Sequence, residues 1–171
     1  MGRRHRPGRR VIAEQRGCTS ASSLAQKREP TTTPPATLFD GAERTEASVA
    51  ELMRHDAPLH LFVRHAQEEV PLGHGVTLAR GERVALLLGA ANRDPARFAE
   101  PDRFDPERAD GAHVTLGGGL HYCVGAQLAK LEIGVAIGAL FERLPTLALD
   151  GEPRCLDSFH FHGLESLPVR C

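Results

Sequence analysis

Regular spacing of hydrophobic residues begins near residue 38 and predicts short elements of both kinds. The stretch EASVAELMRH has the periodicity of a helix, which ends on the approach to Pro58 because a residue preceding proline disfavours helical geometry. LHLFVRHA predicts a strand, and VPLGHGVTLARGERVALLL predicts two or three more, with turns at Gly73, Gly75 and Gly81. Near the end, FHFHGLESLPV predicts short strands around a turn at Gly163.

The longest predicted element is a helix from Val124 to Leu144, which Pro145 ends. Its apolar residues form two stripes: Val124, Leu128, Leu131 and Val135, and Ile133, Ile137, Leu140 and Leu144. Two stripes predict burial on more than one face. The preceding segment, GAANRDPARFAEPDRFDPERADGAH, is rich in proline and charge and predicts a long ordered loop of a kind that is often functional. These elements combine helices with short strands.

Composition and charge narrow the class of protein. The 171 residues, 41% hydrophobic and 25% charged, suit one compact domain or part of a larger one. A net charge of −1 gives no case for nucleic acid or membrane as partner. Residues 1–36 carry eight Lys and Arg against two Asp and Glu and are rich in Ser, Thr and Pro. They predict a disordered basic tail, with the ordered region at 37–171.

The cysteines point to a reduced setting. Cys18, Cys123, Cys155 and Cys171 include no C-x-x-C pair and resemble no disulfide framework. No apolar segment typical of a signal peptide follows the arginines of MGRRHRPGRRVIAEQ. Both observations favour a cytoplasmic location.

The stretch TLGGGLHYCVGAQLAKLE places glycines, a histidine and a cysteine directly before the long helix. A helix start favours a thiolate at Cys123, glycines allow a flat cofactor to approach the backbone, and the following N–H groups can donate to sulfur. Each feature suits a haem iron with a cysteine ligand. Cys123 as a small buried hydrophobe is an alternative. Zinc is another, although His121 and Cys123 supply only two ligands.

LGGGLHYCVGA resembles the cysteine loop of the cytochrome P-450 family, F-x-x-G-x-[HR]-x-C-x-G. Leu116 stands where the family has Phe, and the other four defined positions match. The resemblance implies that Cys123 is the axial iron ligand and the catalytic residue. It also implies that the surrounding loop contacts haem b through Leu116, Gly117, Gly119, His121 and Gly125.

Further motifs lie in the order that the family has. ELMR resembles its E-x-x-R helix, and PDRF resembles its loop arginine, so the resemblance implies a buried network of Glu51, Arg54 and Arg103. Arg64 and His121 match the positions that hold the haem propionates. The implied substrate-lining residues are Leu61, Phe62, Val63, His160 and Phe161. The resemblance runs continuously over residues 46–170 and corresponds to the C-terminal part of the family's fold. It implies a truncated part of that fold, mainly α-helical with small β-sheets (α+β).

The resemblance implies a haem-thiolate monooxygenase that inserts oxygen from O2 into a small organic substrate, with electrons from a ferredoxin and its reductase. Family members are far longer, and the helix that activates dioxygen has no counterpart in this sequence. A truncated and catalytically inactive fragment is therefore one alternative. A non-catalytic haem-binding or interaction module is another. A domain without any cofactor is disfavoured by the ordered motifs.

Overall fold

A computed structural model of the protein describes residues 35–109 and 111–171. The disordered tail predicted for residues 1–36 lies outside these ranges, apart from its last two residues, and stays a prediction. Within them, none of the helices combines the length and apolar character that crossing a bilayer requires.

Helices form the frame of the described region. Two are short 3-10 helices, Pro35–Phe39 and Gly119–His121, and the others are α1 (Ala42–His55), α2 (Leu88–Ala91) and α3 (Ala126–Arg143). Helix α1 begins four residues before the predicted stretch, with Glu43 in its first turn and Arg54 and His55 in its last, which complements the helix dipole. Helix α3 lies within two residues of its predicted limits.

The strands are short, antiparallel and paired two by two. They are β1 (Leu61–His65), β2 (Val70–Gly73), β3 (Val76–Leu78), β4 (Arg83–Leu87), β5 (Ala148–Leu149), β6 (Arg154–Cys155), β7 (Leu164–Ser166) and β8 (Val169–Arg170). The pairs are β1 with β4, β2 with β3, β5 with β8, and β6 with β7. Gly73, Gly75 and Gly81 have positive φ angles of 85°, 73° and 87°, which confirms the predicted turns. The mixed architecture with small sheets is as predicted.

Helices α1 and α3 approach closely where α3 has glycines. A Cβ placed on Gly134 would lie 2.9 Å from Thr45 Cγ2 and 3.7 Å from Val49 Cγ2, so the contact depends on the missing side chain. One turn later Gly138 faces Phe39, whose ring stacks on Phe141 at 6.4 Å between centroids. This packing fixes the middle and second half of α3 against α1 and the first 3-10 helix.

The first apolar stripe of α3 is exposed, so the prediction of burial on more than one face is wrong in this structure. Val124 is 106% exposed, and Leu128, Leu131 and Val135 are 60–63% exposed. No described segment covers this side, whereas α1 and the first 3-10 helix cover the side that holds Gly134. An apolar surface therefore extends from Cys123 along α3.

The cysteines differ in state. Cys123 and Cys171 are free and exposed. Cys155 is disulfide-bonded, so the expectation of fully reduced cysteines is wrong at this position. Sequence spacing alone does not determine which cysteines pair.

Candidate functional site

Glu51 and Arg54, one turn apart on α1, form a buried ion pair. Arg54 donates through Nε to Glu51 Oε2 over 2.7 Å and through Nη2 to Oε1 over 2.8 Å. The two residues are 3% and 1% exposed. A buried ion pair is stable only when its remaining polar atoms are also satisfied.

The remaining donors of Arg54 reach three backbone carbonyls of the long loop. They are Asn92 O at 2.8 Å, Pro101 O at 3.0 Å and Arg103 O at 3.2 Å. All five N–H groups of Arg54 therefore have acceptors. Glu51 Oε1 also accepts from the backbone N–H of Asp105 over 2.8 Å. The ion pair thus holds the loop before the cysteine segment in one conformation.

Arg108, and not Arg103, is the second arginine at Glu51. The Arg103 side chain is 61% exposed and pairs with Glu100 at 3.2 Å, so only its backbone joins the network. Arg108 Nε lies 3.6 Å from Glu51 Oε2, with a side chain only 10% exposed. The predicted role of Arg103 is therefore wrong. The direction of the loop at residue 103 turns its carbonyl, rather than its guanidinium, toward α1.

Asn92 and Thr115 connect this network to the cysteine loop. Asn92 Nδ2 donates to Thr115 Oγ1 over 2.7 Å, and Thr115 Oγ1 donates to Met53 O on α1 over 2.6 Å. The N–H of Val114 donates to Asn92 Oδ1 over 2.9 Å. Both side chains are buried, so water cannot replace these bonds. The residue before Leu116 is thereby anchored to α1.

The cysteine loop is closed by its own backbone. The N–H of Cys123 donates to Leu116 O over 2.8 Å, and the N–H of Gly117 donates to Val114 O over 2.9 Å. The carbonyl of Cys123 accepts from Ala126, the first residue of α3. Cys123 therefore occupies the place where the closed loop passes into the helix.

Two glycines give the loop its flat course. Gly117 and Gly119 have φ angles of 77° and 58°, a region that side chains disfavour. A Cβ on Gly117 would lie 2.9 Å from the carbonyl oxygen of His121, so only glycine allows this closure. Gly118 has open space where its Cβ would be, and Gly125 lies beside the sulfur, with a hypothetical Cβ 3.9 Å away.

The surroundings of Cys123 fit a flat apolar cofactor with a metal that binds sulfur. The thiol is free and exposed, and the neighbouring side chains of Leu120 and Val124 are 102% and 106% exposed. In the described ranges, the N–H groups of Val124 and Gly125 donate to no backbone carbonyl. A haem over the loop would cover the apolar side chains and lie near the sulfur, and these N–H groups would be available as donors to a thiolate.

His113, at the approach to this loop, is held neutral. Burial lowers its pKa, and the charges of Lys130 and Arg54 lower it further, against a smaller opposite effect of Glu51. Its Nδ1 accepts from the N–H of Thr115 over 3.3 Å, which only an unprotonated nitrogen can do. Neutral His113 therefore contributes to the anchoring of Thr115.

The residues predicted to hold propionates lie on different elements. Arg64 is half-buried on β1, where it pairs in register with Val84. Its Nη1 donates to Val63 O over 3.2 Å, and its guanidinium lies 5.1 Å from the Phe62 ring centroid. His121 is exposed in the second 3-10 helix. In the described ranges no hydrogen bond joins Arg64 to the cysteine loop, so their shared role stays a prediction.

The two predicted substrate segments are neighbours. Leu61, Phe62 and Val63 form the start of β1. Just before it, Leu59 forms an antiparallel bridge with Phe161, and the N–H of His60 donates to His160 O over 2.9 Å. Phe161 is 60% exposed. The structure thus brings both segments to one place, while their contact with substrate stays a prediction.

Sequence reasoning missed Asn92, Arg108, His113 and Thr115. Asn92 lies in GAANRDPARF, and a lone amide in a charged loop gives no sign of burial. Arg103 and Arg108 are equally close to acidic residues in the sequence, so nothing there distinguishes them. Thr115 lies just before the glycine-rich stretch, and this position is the one feature of the sequence that could have indicated its role.

Comparison with known proteins agrees with this geometry. A family model described as cytochrome P-450 matches residues 31–161. The biotin biosynthesis cytochrome P-450 of Bacillus subtilis (strain 168) is 46% identical over 133 residues, which are 77% of this chain and 33% of that protein. The 6-deoxyerythronolide B hydroxylase of Saccharopolyspora erythraea is 42% identical over 126 residues, covering 72% of this chain and 31% of that protein.

Structural similarity extends over most of the chain. The crystal structure of ligand-free CYP164A2 from Mycobacterium smegmatis has a TM-score of 0.76 and 37% identity, and the match covers 88% of this chain and 38% of that one. The chain spans about a third of the length of the curated relatives it matches. Together with the family match over more than half of its residues, this similarity shows that the chain belongs to the cytochrome P-450 family.

Proposed function

We propose that this chain provides the thiolate ligand and the proximal surface for haem b in a monooxygenase that inserts one oxygen atom from O2 into a small organic substrate. The observation that carries the proposal is the position of Cys123, a free exposed thiol between a glycine-closed loop and the start of α3. Relatives named monooxygenase or hydroxylase support the reaction class.

In this proposal, the loop residues have distinct tasks. The haem, when bound, supplies the iron chemistry of oxygen activation. Cys123 binds the iron as thiolate, and the N–H groups of Val124 and Gly125 stabilise the negative sulfur. Leu120 and Val124, both fully exposed in the chain, pack against the cofactor and exclude water from the sulfur. Leu116, Gly117 and Gly119 let the macrocycle approach the backbone.

Two side chains, one cationic and one a hydrogen-bond donor, bind the haem propionates in this proposal. Arg64 presents a guanidinium whose fork fits a carboxylate, and His121 presents an imidazole at the rim of the loop. Arg64 donates one N–H to the backbone carbonyl of Val63, so its other N–H groups are available to an anion. Glu51, Arg54 and Arg108 act behind the site by fixing the loop that carries Thr115.

Substrate and electron donor are proposed from the family. The segments Leu61–Val63 and His160–Phe161 border the substrate, which is a small organic molecule. A ferredoxin with its reductase provides electrons, and the setting is the cytoplasm. Because the chain spans about a third of its relatives, oxygen transfer is proposed for the complete family fold, and haem ligation is proposed for this chain.

The test is vibrational spectroscopy of the haem-loaded protein. Resonance Raman should detect an iron–sulfur stretch that Cys123→Ser abolishes and Cys171→Ser retains, because Cys171 is equally free and exposed but lies outside the loop. An iron–sulfur stretch that persists in Cys123→Ser would refute the assignment. If thiolate ligation is found but the complete family fold containing this chain does not oxidise substrate, the chain is better described as a non-catalytic haem-binding module.

A further inference from the structure

A second cluster of metal-binding side chains lies outside the cysteine loop. Asp56, His60 and His162 each offer one ligand atom, and these atoms all lie within 4.8 Å of one another. Asp56 and His162 are 106 positions apart in the sequence, so the fold and not a local motif assembles the cluster. None of the three belongs to the proposed haem site.

The backbone fixes two of the three positions. The bridge between Leu59 and Phe161 is flanked by two hydrogen bonds, from the N–H of His60 to His160 O and from the N–H of His162 to Pro58 O, both 2.9 Å long. This pairing places His60 beside His162. The imidazole rings of the two residues stack, with 4.7 Å between their centroids.

The remaining contacts orient the side chains. Asp56 follows the last residue of α1, and its Oδ1 lies 2.6 Å from His162 Nδ1. The ring of His60 lies against Gly89, where a Cβ would be 3.1 Å from its Cδ2 atom. Asp56 and His162 are 47% and 22% exposed, so a cation can reach them from solvent. The cluster is held in place and remains accessible.

Two imidazoles and a carboxylate are a ligand set that borderline divalent metals accept. Zinc bonds of about 2 Å place neighbouring ligand atoms roughly 3.3 Å apart. The three ligand atoms lie within 4.8 Å of one another, so side-chain rotation would bring them to the spacing of a zinc site. The 2.6 Å contact between Asp56 Oδ1 and His162 Nδ1 would then lengthen. Three protein ligands leave a fourth position for water, as in open zinc sites.

We propose that Asp56, His60 and His162 form a binding site for a divalent transition metal such as Zn²⁺, separate from the haem site. The metal would link the end of α1 to the segment that carries Phe161. Binding would therefore stiffen the two segments that border the proposed substrate position.

The experiment is calorimetric titration of the tag-free, metal-stripped full chain with Zn²⁺ alone. One site per chain is expected, and His60→Ala and His162→Ala should each weaken binding at least about tenfold, with a smaller loss for Asp56→Asn. His160→Ala is the matched control, because His160 contributes its backbone carbonyl to the bridge and its side chain is not in the cluster. Unchanged affinity in both His60→Ala and His162→Ala would overturn the proposal.

A second measurement does not depend on variants that fold. X-ray absorption of the wild-type chain loaded with one equivalent of Zn²⁺ should show two imidazole ligands and only nitrogen and oxygen donors. A sulfur donor, or fewer than two imidazoles, would overturn the proposal and indicate binding at a cysteine instead.

Discussion

Asn92 donates its side-chain N–H to Thr115 Oγ1 over 2.7 Å and offers its backbone carbonyl to Arg54 Nη1 over 2.8 Å. One buried residue therefore touches both the ion pair of α1 and the segment that leads to Cys123. Because Thr115 also donates to Met53 O, the start of the cysteine loop is fixed against α1 from two directions.

Asn92→Ala should lower the free energy of unfolding by about 1–3 kcal/mol, because it leaves the N–H of Val114 without its acceptor and Thr115 without its donor. Urea denaturation measures the loss. Gln67→Ala, which removes an exposed amide, is the control and should change stability by less than about 0.5 kcal/mol. Equal stability of the two variants would contradict the role assigned to Asn92.

Arg108→Ala and Arg103→Ala should differ in effect. Arg108 donates to the carbonyls of Ala99 and Arg103 and lies 3.6 Å from Glu51, so its loss should cost about 2 kcal/mol. Arg103→Ala keeps the carbonyl that Arg54 uses and should cost less than about 0.5 kcal/mol. The denaturant midpoints of the two variants give the comparison. A larger loss of stability in Arg103→Ala would support the sequence-based prediction that Arg103 is the network arginine.

The sequence predicted the elements well and the network only in part. Helical periodicity, the turn glycines Gly73, Gly75 and Gly81, and the Glu51–Arg54 spacing are local features, and the structure follows them. The turn predicted at Gly163 is wrong, because β7 pairs with β6 instead. The choice between Arg103 and Arg108 depends on the path of an irregular loop. Such a loop has no sequence periodicity from which the direction of a side chain can be predicted. The exposure of Val124 and Leu128 could not be predicted either. An apolar stripe indicates which face of a helix can be buried, but it does not indicate whether another segment covers that face.

Gly134→Ala and Gly138→Ala test the contact between α1 and α3. Alanine at Gly138 meets Phe39 Cβ at an ordinary 3.7 Å and should stabilise the protein by up to about 1 kcal/mol through helix propensity. At Gly134 the new Cβ would lie 2.9 Å from Thr45 Cγ2, which should cancel or reverse that gain. Thermal unfolding gives the comparison.

Thr45→Ser removes the atom that clashes at Gly134. The double variant Thr45→Ser/Gly134→Ala should therefore recover stability relative to Gly134→Ala alone. If Thr45→Ser fails to restore stability, the close approach of the two helices is not at Thr45.

His113 should make stability depend on pH. Burial and nearby cations lower its pKa in the folded state, so below about pH 6.5 the unfolded chain binds the proton more readily. Stability is then fully present above that pH and decreases as the pH falls toward the lowered value. His113→Gln, measured by urea denaturation at several pH values, should flatten this decrease.

Some pH dependence should persist in His113→Gln, because burial lowers the pKa of His60 in the same direction. His65→Gln, at an exposed position on β1, is the matched control for replacing histidine with glutamine. A profile in His113→Gln identical to that of wild type would show that His113 is not held neutral by the fold.

The ligation of haem iron by Cys123 is tested most directly by the absorption spectrum of the purified chain, expressed with ample haem precursor, reduced and exposed to CO. Thiolate ligation would shift the Soret band of the reduced, CO-treated protein strongly to the red, and the wild-type chain should show this shift. A Soret band typical of a non-thiolate ligand, or no haem band at all, would contradict haem binding through Cys123 in this chain.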